Sequence, residues 1–259
     1  MHGLEVLRRD GGVVDIVLDR PEVHNAFDDE LIAGLTDLID TLAGDESVSV
    51  VRLAGRGKHF SAGADLNWMR RTADYGEAEN IADARALAGM LHRLNTLPCT
   101  TIALVQGAVM GGAVGLASCC DIVVAADNAR FALSEVRLGI VPATIGPYVL
   151  AAIGARQGRR WMQSGERFDA DTARAIGLVH EVVPADELEA RGESITAELL
   201  KCGPAARRVA KQLVFDIAGR PIDDKIIEHT VNCIARVRTG DEGREGLQAF
   251  LDKRPPRWT

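Results

Sequence analysis

The sequence predicts an α/β fold in which helices cover a largely parallel sheet, followed by a region that is entirely helical. Short apolar runs at residues 100–105 and 122–126 are typical of strands that are buried on both faces. Stretches with helical periodicity separate these runs, and beyond Pro204 only helical periodicity remains. A chain of 259 residues, 47% of them apolar, is long enough for one large core of this kind.

The first part of the chain reads as two strands, a helix and a third strand. Residues 5–9 and 13–18 form a predicted hairpin around the turn at 10–12. Asp28 is a typical N-cap for the following helix, whose leucines recur at helical spacing. Residues 48–54 then return as a strand. This β-β-α-β order delivers the chain to a segment of small residues.

The middle of the chain contains its most apolar stretch. A second amphipathic helix is predicted over 77–95, ahead of the buried strand. Residues 102–120 could span a bilayer by length, but their glycines weaken a continuous helix and no basic residues flank them. We therefore expect a buried strand, a glycine turn, and a buried helix opened by Gly111 and Gly112.

The remaining elements are short, until the helical region begins. After the strand at 122–126, another is expected at 131–133, and the mixture of glycine, proline and apolar residues over 134–145 is typical of a loop that lines a site. The last strand is predicted over 177–183, with a long helix starting near Asp186.

A domain boundary is predicted near residue 200. It divides a β/α core, residues 1–199, from a helical C-terminal region, residues 200–259.

The overall charge and the cysteines exclude several classes of protein. A net charge of −7 weighs against nucleic-acid and anionic-membrane binding, because phosphate contacts need an excess of Lys and Arg. The five cysteines form no CxxC pattern and are interpreted as reduced core residues. The N-terminal residues do not resemble an export signal, so we expect a cytoplasmic protein.

Two segments of small residues carry the strongest chemical signal. In residues 59–66 and 107–121, small side chains leave room for a ligand to approach the main chain. We predict that the N–H groups of Ala62 and Gly112 converge on one oxygen, with Gly112 at a helix N-terminus where negative charge is favoured. Such an oxyanion hole stabilises an enolate.

One acidic residue is the candidate for proton transfer. Glu135 is surrounded by apolar and glycine residues, a setting in which burial raises the pKa of a carboxyl group. The alternative is a structural ion pair with Arg137. The histidines lack metal-ligand spacing, and no serine-hydrolase, P-loop or dinucleotide-binding motif is present, so neither a metal nor a separate cofactor is expected.

These motifs resemble those of the enoyl-CoA hydratase/isomerase (crotonase) superfamily over nearly the whole chain. The resemblance implies a spiral of ββα units with an all-helical trimerisation region, and a homotrimer or a hexamer of two trimers. It implies an acyl-CoA substrate, of which coenzyme A is a part, with the thioester oxygen held by Ala62 and Gly112. The residues matched to coenzyme A binding are Ala64, Asp65 and Leu66, together with Phe250 and Lys253 in the tail.

The chain departs from the usual hydratase pattern at one catalytic position. Hydratases of this superfamily usually have two glutamates; here the first falls on Gly115 and the second is Glu135. The sequence of residues 64–75 and 134–143 is similar to that of bacterial 3-methylglutaconyl-CoA hydratases, which also have glycine at the position of Gly115. That similarity implies a branched substrate with a second carboxylate, for which Arg137 is the candidate partner, and Gly115 would widen the pocket.

Three functions remain open from the sequence. The first is hydration of such an enoyl-CoA, with Glu135 handling the proton. The second is Δ3,Δ2-enoyl-CoA isomerisation by the same base, which needs only one carboxylate. The third is an acyl-CoA-binding protein without catalytic activity, suggested by the missing glutamate.

Overall fold

The computed structural model describes residues 3–259, which form two sheets surrounded by helices. Within these residues the strands are β1 (Leu4–Arg9), β2 (Val13–Leu18), β3 (Val50–Gly55), β4 (Thr100–Val105), β5 (Ala108–Met110), β6 (Ile122–Ala126), β7 (Arg130–Ala132), β8 (Phe168–Asp169) and β9 (Glu181–Val183). The α-helices are α1 (Asp29–Ala43), α2 (Leu66–Ala73), α3 (Glu77–Asn95), α4 (Gly112–Cys119), α5 (Gly146–Ser164), α6 (Ala170–Ala175), α7 (Leu188–Leu200), α8 (Pro204–Ile217), α9 (Asp224–Thr239) and α10 (Asp241–Leu251).

The larger sheet has the strand order β1-β2-β3-β4-β6-β9. Only the first pair is antiparallel, because a short turn joins β1 to β2 and pairs Arg9 with Val13. The other neighbours are parallel, and a helix lies between consecutive partners such as β2 and β3. The predicted hairpin and buried strands are confirmed, and the structure has the α/β class expected from the sequence.

The helices of the core follow the predicted caps and periodicity. Asp28 caps α1 by accepting a hydrogen bond from Leu31 N at 2.8 Å, and the leucine face of α1 is buried. The helix predicted over 77–95 is α3, which packs on α1. In the stretch 102–120 the predicted strand and helix are confirmed as β4 and α4, but the short strand β5 lies between them where only a turn was expected. In the part of the chain that the structure describes, no helix is both long and apolar enough to cross a membrane.

The smaller sheet positions the site. Its order is β5-β7-β8, and Ser61 extends it by a parallel bridge to Val109 in β5. The loop that precedes α2 therefore lies beside the strand that leads into α4. The two segments of small residues, far apart in sequence, are neighbours in space.

One predicted strand is much shorter in the structure. Of residues 177–183, only the last three form β9. Gly177 has φ +88°, and Leu178 N bonds back to Ala173 O at 2.9 Å, so the first residues of this stretch close α6 instead of pairing with the sheet. The helices α2 and α5 were not predicted.

The C-terminal region is helical, as expected. Its first helix, α8, is attached to the core by three cations that reach the loops before β3 and β6. Arg207 donates to Ser49 O (2.9 Å), Arg208 to Val48 O (2.8 Å), and Lys211 pairs with Asp121 (2.8 Å). In contrast, α9 and α10 leave many apolar side chains exposed.

Candidate active site

The loop before α2 is paired with residues 24–27, and this pairing changes one prediction. Ala62 N donates to His24 O at 3.0 Å, so its N–H is already bonded within the protein. The prediction that Ala62 supplies a free oxyanion donor is therefore wrong. A backbone N–H that has an internal acceptor cannot hold a substrate oxygen without breaking that bond.

Between Phe60 and Asp65, Ala64 is the residue whose N–H has no acceptor among the described residues. Phe27 accepts from Asp65 N (2.7 Å) and donates to Gly63 O (2.7 Å), which is a parallel bridge that uses the residues on either side of Ala64. Within residues 3–259 no acceptor is bonded to Ala64 N, and Ala64 is exposed. Gly63 has φ +96°, which turns Ala64 away from the partner segment.

Gly112 presents a second free N–H at the start of α4. Gly111 N bonds to Ala132 O at 2.9 Å, but among the described residues Gly112 N has no acceptor, as expected for the first residue of a helix. Gly111 has φ +52° and ψ −117°, a conformation that requires glycine. This sharp turn directs the chain from β5 into the helix.

The two free N–H groups lie close together. A Cβ placed on Gly63 would lie 3.1 Å from Met110 O, so the residue before Ala64 is in contact with the residue two positions before Gly112. Phe27 contacts both segments. Its main chain bonds to the residues on either side of Ala64, and its ring would lie 3.4 Å from a Cβ on Gly112. Two amides and a helix N-terminus are thus brought to one place.

Glu135 lies beside these amides. It is half-buried in a 3-10 turn (Ser134–Leu138), and a Cβ on Gly111 would lie 3.1 Å from its Oε1. Its Oε2 is buried with no hydrogen-bond partner in the described part of the protein. Burial raises the pKa of this carboxyl group above its usual value. No ion pair joins Glu135 to Arg137 or to another described residue, so the structural alternative for Glu135 is wrong.

A strained turn holds the loop that carries Ala64. His24 and Asn25 both have left-handed φ values, +56° and +54°, which are uncommon for residues with side chains. Asn25 is fully buried, and its amide group donates to His59 O (2.8 Å) and Arg56 O (3.0 Å). Its Oδ1 accepts from Arg20 N at 2.8 Å. Sequence reasoning missed Asn25 as a residue that shapes the site.

The residues matched to coenzyme A binding differ in their availability. Leu66 is exposed next to Ala64. The Asp65 carboxylate is instead committed to the fold, because it accepts from Asn67 N at 2.8 Å and caps α2. Its other oxygen lies 3.7 Å from Arg20. The Asp65 side chain thus stabilises the start of α2, and a contact of Asp65 with coenzyme A stays a prediction.

The remaining predicted binding residues lie on the surface. Phe250 in α10 is 82% exposed, and Lys253 follows that helix in a left-handed conformation. Lys253 makes no ion pair with a residue in the described range. Arg137 is exposed and packs against Gly165, and it makes no ion pair among residues 3–259.

Gly115 does not widen a pocket. It is buried in α4, and a Cβ at this position would collide with Ile145 Cγ2 and lie 2.7 Å from Ile145 Cβ. The space that a side chain at 115 would take is filled by Ile145, which is 1% exposed. The expectation of extra room for a branched acyl group at this point is wrong.

The fold defines the class of protein. An enoyl-CoA hydratase from Shewanella pealeana has a solved structure that superimposes with a TM-score of 0.95, at 42% identity, covering 99% of this chain and 96% of that one. A Pseudomonas aeruginosa protein named AtuE superimposes with a TM-score of 0.94 at 34% identity, covering 99% of both chains. The protein therefore has the crotonase fold, with a helical C-terminal region.

The family follows from the sequence match. Residues 8–259 match the enoyl-CoA hydratase/isomerase family, and the chain belongs to it. A 2,3-dehydroadipyl-CoA hydratase of Escherichia coli is 31% identical over 252 residues, which cover 97% of this chain and 96% of the relative. The protein is thus an enzyme of the enoyl-CoA hydratase type, a hydro-lyase, from a family that acts on acyl-CoA substrates.

Proposed function

We propose that this protein adds water to a branched, carboxylate-bearing enoyl-CoA of the 3-methylglutaconyl-CoA type. The observation that carries the proposal is a half-buried carboxylate, Glu135, whose Oε2 has no partner among the described residues, beside two free main-chain amides, Ala64 and Gly112. The amides account for polarisation of the thioester, and the carboxylate accounts for proton transfer. Coenzyme A enters as part of the substrate, and no separate cofactor takes part.

The two amides stabilise the enolate. As water attacks C3, the electrons of the C2–C3 double bond move toward the thioester, whose oxygen becomes negative. Donors that are already oriented lower the free energy of this state more than that of the neutral substrate. Gly112 adds the partial positive charge of the α4 N-terminus, which favours negative charge at that oxygen.

Glu135 completes the proton balance. Its carboxylate accepts one proton from the attacking water, whose oxygen and other hydrogen remain on C3 as a hydroxyl group. Glu135 then returns the same proton to C2 as the enolate collapses to the thioester. Burial without a partner raises its pKa, so that giving the proton back is easier than for an ordinary carboxylate.

The second carboxylate of the substrate is assigned to Arg137. This guanidinium has no ion-pair partner in the described residues and belongs to the same 3-10 turn as Glu135. The loop that follows exposes Leu138, Ile140 and Val141, which suit an apolar acyl branch. Arginine binds carboxylates strongly through two parallel hydrogen bonds.

A substrate panel tests the proposal. The purified enzyme is incubated with 3-methylglutaconyl-CoA, an unbranched 2-enoyl-CoA and a 3-enoyl-CoA, and the products are separated by mass and retention. Hydration of 3-methylglutaconyl-CoA with the highest kcat/KM supports the proposal. Conversion of only the 3-enoyl-CoA supports the isomerase, and tight binding with no conversion of any thioester supports the non-catalytic protein.

We also propose that the active form is a homotrimer or a hexamer of two trimers. Along α9, Ile227, Val231 and Ile234 form an exposed apolar stripe, and Phe250 in α10 is exposed as well. Exposed apolar surface of this extent favours association. In such an assembly Phe250 and Lys253 would reach coenzyme A on a neighbouring subunit. The five free cysteines fit the reducing cytoplasm, where we place the enzyme.

A further inference from the structure

The face of α4 that looks toward Glu135 has two glycines. Gly111, just before the helix, approaches Glu135 Oε1 as described above. Gly115 lies four residues later, and residues four apart share a helix face. A side chain at 115 would therefore extend on the side of α4 where Glu135 lies.

The reason for glycine differs between these two positions. Gly111 has a positive φ, so its backbone requires glycine. Gly115 is within α4 and has no such φ, and alanine would favour a helix there by about 1 kcal/mol. What excludes a side chain at 115 is Ile145, whose Cβ would lie 2.7 Å from a new Cβ. While Ile145 occupies this place, position 115 has no room for a side chain.

We propose that Ile145 is a specificity-determining residue that keeps this site to a single carboxylate, because it takes the volume that an acid at position 115 would need. The inference rests on the proposed function and deepens it. A two-acid site holds both hydrogens of the attacking water. Here Glu135 holds one of them, and the substrate's own carboxylate, which pairs with Arg137 through two of its acceptor sites, can accept a hydrogen bond from the other through a remaining site. Unbranched enoyl-CoA thioesters lack that group and react more slowly.

The first experiment tests the packing, with no need for activity. Gly115→Ala, Ile145→Gly and the double variant are compared by thermal unfolding. Each single variant lowers Tm by about 4 °C or more, from overpacking and from a cavity respectively. The double variant is as stable as Ile145→Gly or more so, because the new methyl group enters the vacated space. An unchanged Tm for Gly115→Ala, or strictly additive losses, would overturn the proposal.

The second experiment tests specificity. Gly115→Glu/Ile145→Gly installs a second acid, and Gly115→Gln/Ile145→Gly is its matched control of equal size without the charge. The measured quantity is kcat/KM for an unbranched 2-enoyl-CoA divided by kcat/KM for 3-methylglutaconyl-CoA. We expect this ratio to be at least about 10-fold higher in the glutamate variant than in the glutamine variant, within the range for one acid–base group.

The outcomes separate this inference from the proposed function. Equal ratios in the two double variants, with wild-type hydration intact, would overturn the role of Ile145 and leave the proposed function standing. If the wild-type protein hydrates neither thioester, the proposed function fails, and the specificity role falls with it. The thermal experiment still decides whether positions 115 and 145 exclude each other.

Discussion

The segments that hold Ala64, Gly112 and Glu135, here called the active-site frame, differ from the C-terminal helices in how fully their polar and apolar groups find partners within one chain. In the frame, the neighbours of each free amide are bonded: Gly63 and Asp65 to Phe27, and Gly111 to Ala132. In the C-terminal region, α8 is attached by three cations, but α9 and α10 leave apolar residues in solvent. The proposed chemistry therefore uses residues of a single subunit, whereas the helical surface exposes apolar side chains that the proposed trimer would cover.

The largest expected effect comes from removing the carboxylate that is proposed to transfer the proton. Glu135→Gln keeps the size of the side chain but cannot accept a proton from water. We expect kcat to fall by about 10³ or more, while acyl-CoA affinity stays within a few-fold. Steady-state kinetics and calorimetry with a product thioester measure the two quantities. Retained turnover would show that the frame does not contain the base.

The next effect tests whether the frame depends on its buried turn. Asn25→Ala leaves the carbonyls of Arg56 and His59 without their donor, so the loop carrying Ala64 loses a support. We expect kcat to fall by about 10- to 100-fold, with KM nearly unchanged.

A matched control distinguishes displacement of the loop that carries Ala64 from a general loss of protein stability. Thr101→Val removes a different buried polar group, a hydroxyl that donates to Asp121 at 3.0 Å near the anchor of α8. It should lower Tm without changing kcat. If both variants lose activity in proportion to Tm, Asn25 has no specific role in positioning the loop.

The next prediction concerns the mass of the assembled protein and tests the exposed apolar stripe on α9. Ile227→Asp/Val231→Asp places two charges on the α9 stripe, which we expect to be buried between subunits. Light scattering should show about a threefold lower mass for a separated trimer, with an unchanged circular dichroism spectrum. The control Arg236→Asp lies on the opposite flank of α9 and should keep the assembly. If light scattering shows that the wild-type protein is a monomer, the proposal that α9 and α10 pack against other subunits is wrong.

The smallest effect concerns stability and pH. Because burial raises the pKa of Glu135, the folded protein holds this proton more tightly than the unfolded chain. Glu135 therefore costs stability as pH rises from its unfolded pKa through its higher folded pKa. Glu135→Gln should raise Tm by a few degrees at neutral pH, and the gain should vanish at acidic pH. A gain that persists in acid would have a cause other than ionisation.

The same ionisation sets the direction of the activity profile. Glu135 must be a carboxylate to accept a proton, so kcat/KM should fall as pH is lowered through the raised pKa, at a higher pH than for an ordinary glutamate.

Much of the fold could be predicted because periodicity reports burial locally. The hairpin, α1, α3 and the parallel strands all appear as patterns within a few residues. The helix α5 escaped because Gly154 interrupts it with φ +72°, and α2 because its N-cap, Asp65, was assigned to ligand binding. These elements depend on a kink and on a cap that were not recognised in the sequence.

The sequence motifs identify the segments that form the site, but they do not identify which backbone N–H groups are free. Ala62 and Ala64 are both small residues of one loop, and the sequence does not show that Gly63 turns one amide inward and the other outward. Similarly, the missing acid at Gly115 is visible in the sequence, but its cause, Ile145, lies thirty residues away and is apparent only from the packing. Contacts between distant segments decided both cases.

The use of main-chain amides at residues 64 and 112 has an evolutionary consequence. Among the twenty encoded amino acids only proline lacks this N–H, so almost any codon change at these sites preserves the donor itself. Heritable variation can alter this step mainly through the residues that hold the amides in place. The side chains that contact the acyl group can then change in evolution, while the main-chain amides continue to stabilise the same thioester enolate.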